Sequence, residues 1–277
     1  MSRVTLVAVP LFLCLAVSMQ AQQSPTKISE SANRAAASAS AKPFSGLSQT
    51  ETAIMHGDIY MARKEYATAI TAYQQVLSTD AKNAAVLNKV GIAYQQLGEL
   101  QQSERFYKRA MHADKNFASA ANNCGTVEYD KKHYGKAINL YTKALSMHGD
   151  MPTIYSNLGY AYFSNKEYPE AMTAFEKALA LDPTIFDRKG QGGTVVQQRT
   201  TTDPGLFYFL VAKTYAHAGD AERAAHYLKL ARDDGYTEFL SAQTDPVFSK
   251  VIKNPEVQEV LHEAPAYAGS SKKQIQN

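Results

Sequence analysis

Glycine recurs at Gly57, Gly91, Gly125 and Gly159, a constant interval of 34 residues. With only 15 glycines in 277 residues, such a series does not arise by chance, and other columns keep step with it. Twelve residues after each glycine stand Ala69, Ser103, Ala137 and Ala171. Four further on come Tyr73, Tyr107, Tyr141 and Phe175, and three beyond those Val76, Ala110, Ala144 and Ala178. Three residues after the glycines lie Tyr60, Tyr94, Glu128 and Tyr162. A chain with this period builds one supersecondary unit per repeat and buries each unit against its neighbours.

The columns read as a helix pair. Tyr155, Leu158, Gly159 and Tyr162 form one helical stripe, and Tyr168, Ala171, Phe175 and Ala178 form a second after a short polar turn. Small residues at Gly159 and Ala171 predict two antiparallel helices in close approach, with aromatic side chains filling the space between neighbouring pairs. Asp80-Ala81-Lys82-Asn83, Asp114-Lys115-Asn116 and Pro183 mark helix ends.

On these columns the chain resembles the tetratricopeptide repeat family, whose unit has the same length and the same small, Gly, Tyr, Ala, aromatic, Ala and Pro pattern. The resemblance spans residues 50–183 as four units and implies an all-α fold, an α-α superhelix. It departs at the start of the first helices, where Ala53, Leu87 and Ala121 precede Tyr155, and at the terminal proline, kept only as Pro183. A fifth unit is expected over 205–235, with Tyr208, Ala212, Tyr215, Ala224, Leu228 and Ala231 in the columns and Asp203-Pro204 as its start signal. Residues 184–204 read as an insertion loop or small irregular hairpin, since Thr194-Val195-Val196 and Thr200-Thr201-Thr202 have β propensity. The Gly190-Gln191-Gly192-Gly193 run within it has no Lys-Ser/Thr after it and no helix pattern, so it is not a phosphate loop. A helical cap is expected over 236–265, opened by Asp245-Pro246 and Asn254-Pro255, and the polar tail 266–277 is expected to be disordered.

The N-terminus reads as an export signal over 1–21. Arg3 supplies a positive charge, and Val4 to Val17 is apolar apart from Thr5 and Pro10. The run is shorter than the ~18 residues that span a bilayer, so cleavage, after Ser18 or Ala21, is expected rather than stable membrane insertion. Leu13 ahead of Cys14 argues against a lipid anchor. Residues 22–49 form a Ser/Ala-rich linker that cannot bury enough surface to order itself. Removal of the signal leaves Cys124 as the sole thiol, so no internal disulfide is available. With no Asn-x-Ser/Thr acceptor in the chain, a bacterial periplasmic or secreted protein is expected.

A formal net charge of +3 argues against broad electrostatic capture of nucleic acid. The seven histidines include no His-x-x-x-His pair and have no cysteine at metal spacing, so no metal or cofactor is expected. His56 and Cys124 share a core column with Val90 and Leu158 and read as packing residues. No pair of carboxylates is singled out for acid-base work, and the chain reads as a non-enzyme.

Function is then expected on the exposed stripe of each first helix, three before, one after and four after each glycine. The stripe reads Ile54, Asp58 and Met61; Asn88, Ile92 and Gln95; Asn122, Thr126 and Tyr129; Ser156, Tyr160 and Phe163; Phe209, Lys213 and Ala216. The family resemblance implies that this face lines a concave groove for peptides. Amide side chains offer donors and acceptors to an extended backbone, and aromatic ones offer flat contact area. Asn123 and Asn157, two before their glycines, either contact bound peptide backbone, as the resemblance implies, or bond within the repeats. The expected partner-binding set is Asn88, Gln95, Asn122, Asn123, Thr126, Tyr129, Ser156, Asn157, Tyr160, Phe163, Phe209 and Lys213, with a peptide segment or protein as partner. The alternative is a self-assembling structural component of an envelope complex; the sequence leaves the oligomeric state open. Of the 17 tyrosines, Tyr129 and Tyr160 are the two assigned to the groove.

Overall fold

The computed structural model describes residues 46–147, 151–186 and 203–263. The expected signal, the linker up to residue 45, residues 187–202 of the insertion and the tail lie outside the described residues.

The helical body is a run of antiparallel pairs. They are α1 (Gln49–Ala62) with α2 (Tyr66–Thr79), α3 (Ala84–Gln96) with α4 (Leu100–Ala113), and α5 (Ala118–Asp130) with α6 (Tyr134–Met147). Then come α7 (Pro152–Ser164) with α8 (Tyr168–Leu181) and α9 (Pro204–Ala218) with α10 (Ala221–Asp233). Among the described residues there is no strand, and no helix is long and apolar enough to cross a membrane.

The first four pairs close on the glycine column. A Cβ built on Gly91 would lie 2.5 Å from the Tyr107 ring, one on Gly125 2.8 Å from Tyr141, and one on Gly159 2.4 Å from Phe175. These distances are inside van der Waals contact, so only a bare backbone admits the ring. Behind the rings, Ala69, Ser103, Ala137 and Ala171 are completely buried, and the Ser103 hydroxyl donates to the Gly91 carbonyl at 2.9 Å. The fifth pair keeps the register with Ala212 and Tyr215, both buried.

The turn inside each pair follows one backbone pattern. Glu65 N–H donates to Tyr60 O and Lys64 N–H to Met61 O, and the same two bonds recur at Glu99/Gly98, His133/Lys132, Glu167/Lys166 and Asp220/Gly219. This is the Schellman C-cap, which needs one residue in the left-handed region. That residue is Gly98 at φ 77° and Gly219 at φ 85°, but Lys64, Lys132 and Lys166 at φ 62°, 63° and 65°. The turns between pairs use Asp: Lys82, Asn116 and Thr184 N–H groups donate to the carboxylates of Asp80, Asp114 and Asp182.

Three sequence expectations change here. His56 is exposed, because its column is covered by a preceding repeat at Val90 and Cys124 and no described repeat precedes α1. The start of the expected insertion belongs to the core: Ile185 is buried and the Phe186 ring meets Phe175 and Tyr215 edge-on. The cap is mostly 3₁₀ rather than α, with turns at Thr237–Gln243 and Pro246–Lys250 before α11 (Pro255–His262). Asp245 and Asn254 cap as expected, accepting from Val247 and Glu256 N–H, and Phe248 and Val257 are fully buried.

Lys132 is an exposed β-carbon-bearing residue in a conformation that costs L-residues about 1 kcal/mol or more. Lys132→Gly is expected to raise unfolding free energy by ~0.5–1 kcal/mol, read as a rise in the chemical denaturation midpoint.

Candidate partner-binding face

The first helices of successive pairs, α3 with α5 and α5 with α7, pack against one another more than the second helices do, so they form the inner wall of the array. The stripe predicted for partner contact lies on this wall, and the structure divides it in two.

In the first three pairs the stripe stays partly open. Asp58 is exposed, and Ile54, Met61, Ile92, Gln95 and Thr126 are half-buried. Its polar members meet the hydroxyls of the column tyrosines. Tyr73 donates to Asp58 at 2.6 Å, Tyr107 to Gln95 at 2.9 Å, and Tyr141 shares a 3.2 Å bond with Thr126. Burial and the neighbouring Asp58 carboxylate both push the Tyr73 phenol well above its ordinary value, so it stays a donor. Asp58 also receives Lys89 at 2.5 Å, and Gln95 donates to Asp130 at 3.3 Å.

The asparagines form a ladder between repeats. Asn123 donates to Asn88 at 3.0 Å, Asn122 to Asn123 at 3.2 Å, and Asn157 to Asn122 at 3.0 Å. Each step across a repeat spans 35 residues, one more than the period, because the residue two before one glycine reaches the residue three before the previous glycine. Asn88, Asn122 and Asn157 are all buried. The bonds of Asn123 and Asn157 run between successive repeats rather than within one. The ladder stops at α7, where Asn157 Oδ1 and Ser156 Oγ are buried without a protein partner.

From α7 onward the predicted stripe is closed. Tyr160, Phe163 and Phe209 are 4–5% exposed and Ser156 is fully buried, against the expectation of an open aromatic groove. The cause is Phe207 at the start of α9, which stacks on Tyr160 at 5.0 Å and meets Phe163 edge-on at 5.5 Å. Phe175, lacking a hydroxyl, meets Tyr160 edge-on at 5.6 Å where the first three pairs have a hydrogen bond. Phe209 is covered by Tyr236 and Phe248 of the cap. Tyr129 is also buried, its hydroxyl 2.7 Å from that of Ser164. Lys213 is half-buried and paired with Asp245 at 2.8 Å.

Elsewhere, Cys124 is fully buried and burial pushes its thiol up to about 11, which suits packing rather than nucleophilic attack. Glu128, alone among aromatics in its column, is buried where it meets His133 at 2.9 Å and Lys131 at 3.6 Å. Among the described residues no cluster of His, Cys, Asp and Glu is arranged to hold a metal ion.

Asn122→Ala removes the central rung of the ladder and strands the buried Asn157 amide. A loss of about 1–3 kcal/mol in unfolding free energy is expected, measured by chemical denaturation. The half-exposed Gln95→Ala should lose less than about 1 kcal/mol.

Comparison with known proteins follows these units. Residues 57–98 and 125–166 match the model of the TPR repeat, and residues 152–185 match that of the tetratricopeptide repeat. No curated protein matches the chain in sequence. Among solved structures, pilF of Pseudomonas aeruginosa aligns over 77% of this chain and 87% of its own at 19% identity and a TM-score of 0.51. MamA from Desulfovibrio magneticus RS-1 aligns over 67% of this chain and 94% of its own at 16% identity and TM-score 0.49. YrrB, described as a TPR protein with an unusual peptide-binding site, aligns over 70% and 91% at 16% identity and TM-score 0.46. In fold and in repeat sequence alike, the chain carries tetratricopeptide repeats.

Proposed function

We propose that this chain is an exported, non-catalytic scaffold that holds an extended peptide segment or a protein surface against the first helices of its first three pairs. The observation that carries the reading is the division of the inner wall. Ile54, Met61 and Ile92 offer apolar contact and Asp58, Gln95 and Thr126 offer hydrogen bonds, all reachable by solvent, whereas Tyr160 and Phe163 are already occupied by Phe207. The tyrosine hydroxyls beneath hold the polar groups in place, so little side-chain freedom is lost on binding. The tetratricopeptide repeats matched over residues 57–98 and 125–185 support a scaffold, and the family resemblance implies peptide binding on this face. The apolar run 4–17 behind Arg3 favours delivery to the periplasm or beyond.

A photo-crosslinking residue placed at Ile92 or Thr126 in the native cell should yield adducts with a distinct protein partner, and the same residue at Lys143 on α6 should not. Equal labelling from both faces, or none from the inner wall, contradicts the assignment. For export, a reporter enzyme active only outside the cytoplasm, fused after Asn277, should be active. A silent fusion that accumulates in the cytoplasm defeats that part of the reading.

A further inference from the structure

We infer that the chain binds a second copy of itself by docking the acidic ridge at its C-terminal cap into a basic groove on its second helix pair. The charge of the described residues is polarised along the array. Residues 49–147 hold twelve Lys and Arg against nine Asp and Glu, whereas residues 203–263 hold six against ten. Near-neutral net charge therefore conceals two ends of opposite sign.

Each sign is concentrated at a surface depression. A groove of about 540 Å³ lies between α4 and the turn joining α2 to α3, lined by Lys82, Arg105, Lys108 and Arg109 with Glu104 as its acid. Arg109 is fixed there, 4.9 Å above the Phe106 ring, and Lys82 and Arg105 are exposed. At the other end a cleft of about 520 Å³ runs between α10 and α11, lined by Glu222, Glu256, Glu259 and Glu263. The cleft also holds Arg223, paired with Asp220 at 2.7 Å, and Lys229, and Glu263 is taken by Arg232, so Glu222, Glu256 and Glu259 carry its acidity. Glu256 and Glu259 stand one turn apart on α11, both exposed, so the helix presents a short acidic ridge.

The two surfaces lie on different repeats, so neither meets its own kind across the contact. A copy that offers its ridge to a neighbour's groove keeps its own groove for another ridge. Most of these groups are exposed, so the contact is steered and held electrostatically and weakens with salt. It uses none of the inner-wall residues assigned above to partner binding.

The test is a charge swap on the full chain, followed by sedimentation velocity. The wild-type protein should self-associate at about 50 mM salt and fall apart at about 500 mM, where the screening length drops below ~5 Å. Lys82→Glu with Arg105→Glu, and separately Glu256→Lys with Glu259→Lys, should each weaken self-association roughly tenfold or more. Mixing the two reversed proteins should restore association, since the acidic groove then faces the basic ridge and the unaltered ridge faces the unaltered groove. That rescue also shows that both variants are folded. A wild-type monomer at low salt overturns the inference, as does a mixture that fails to associate. Association that persists unchanged in both variants places the contact on another face and overturns it equally.

Discussion

In each of the first four pairs one aromatic ring lies against a stretch of first helix that carries no side chain, and the spacing of those pairs follows from that contact. The rings of Tyr73, Tyr107, Tyr141 and Phe175 occupy the volume that a Cβ would take at Gly57, Gly91, Gly125 and Gly159. Because the ring crosses from the second helix to the first, it sets both the distance between them and their rotation. It also decides what the inner wall does, since a tyrosine threaded past glycine delivers its hydroxyl to that wall.

The inner wall is therefore not a free surface onto which evolution can paint any ligand. Asp58, Gln95 and Thr126 each answer a tyrosine from behind. Where the ring is Phe175, no hydroxyl arrives, and Tyr160 fills the position and joins an aromatic cluster with Phe207. The asparagine ladder runs along the same wall and stops at the same helix, because the fifth unit has Leu210 where an asparagine would continue it. Polar ladder and open stripe thus share the first three pairs, and the closed aromatic core begins with the fourth.

The repeat period made the fold legible. Columns at fixed spacing report helix pairs directly, and the buried alanines, tyrosines and Phe175 fall where the columns put them. The candidate site was legible only in its position on the first helices. Helical geometry says which residues share a face, but not whether another element covers that face, and Phe207 arrives from a unit beyond an insertion that breaks the period. Hence Tyr160 and Phe163, singled out as groove aromatics, prove to be buried. His56 errs the other way, since its column is a core column only where a repeat stands in front of it. The ladder did leave a trace in the sequence: Asn88 with Asn123, and Asn122 with Asn157, recur 35 residues apart rather than 34. Lysine in three left-handed turns left none, because the turn residue is set by the backbone and only Gly98 and Gly219 advertise it.

If the glycine column exists to admit the ring, Gly159 and Phe175 are energetically coupled, and a double-mutant cycle measures that coupling. Alone, Gly159→Ala should destabilise the protein by about 1–3 kcal/mol although alanine is the better helix former. In the Phe175→Leu background the added methyl has room, and the cost should shrink by about 1 kcal/mol or more, or turn into a gain. An identical cost in both backgrounds would mean that the glycine answers to something other than the ring.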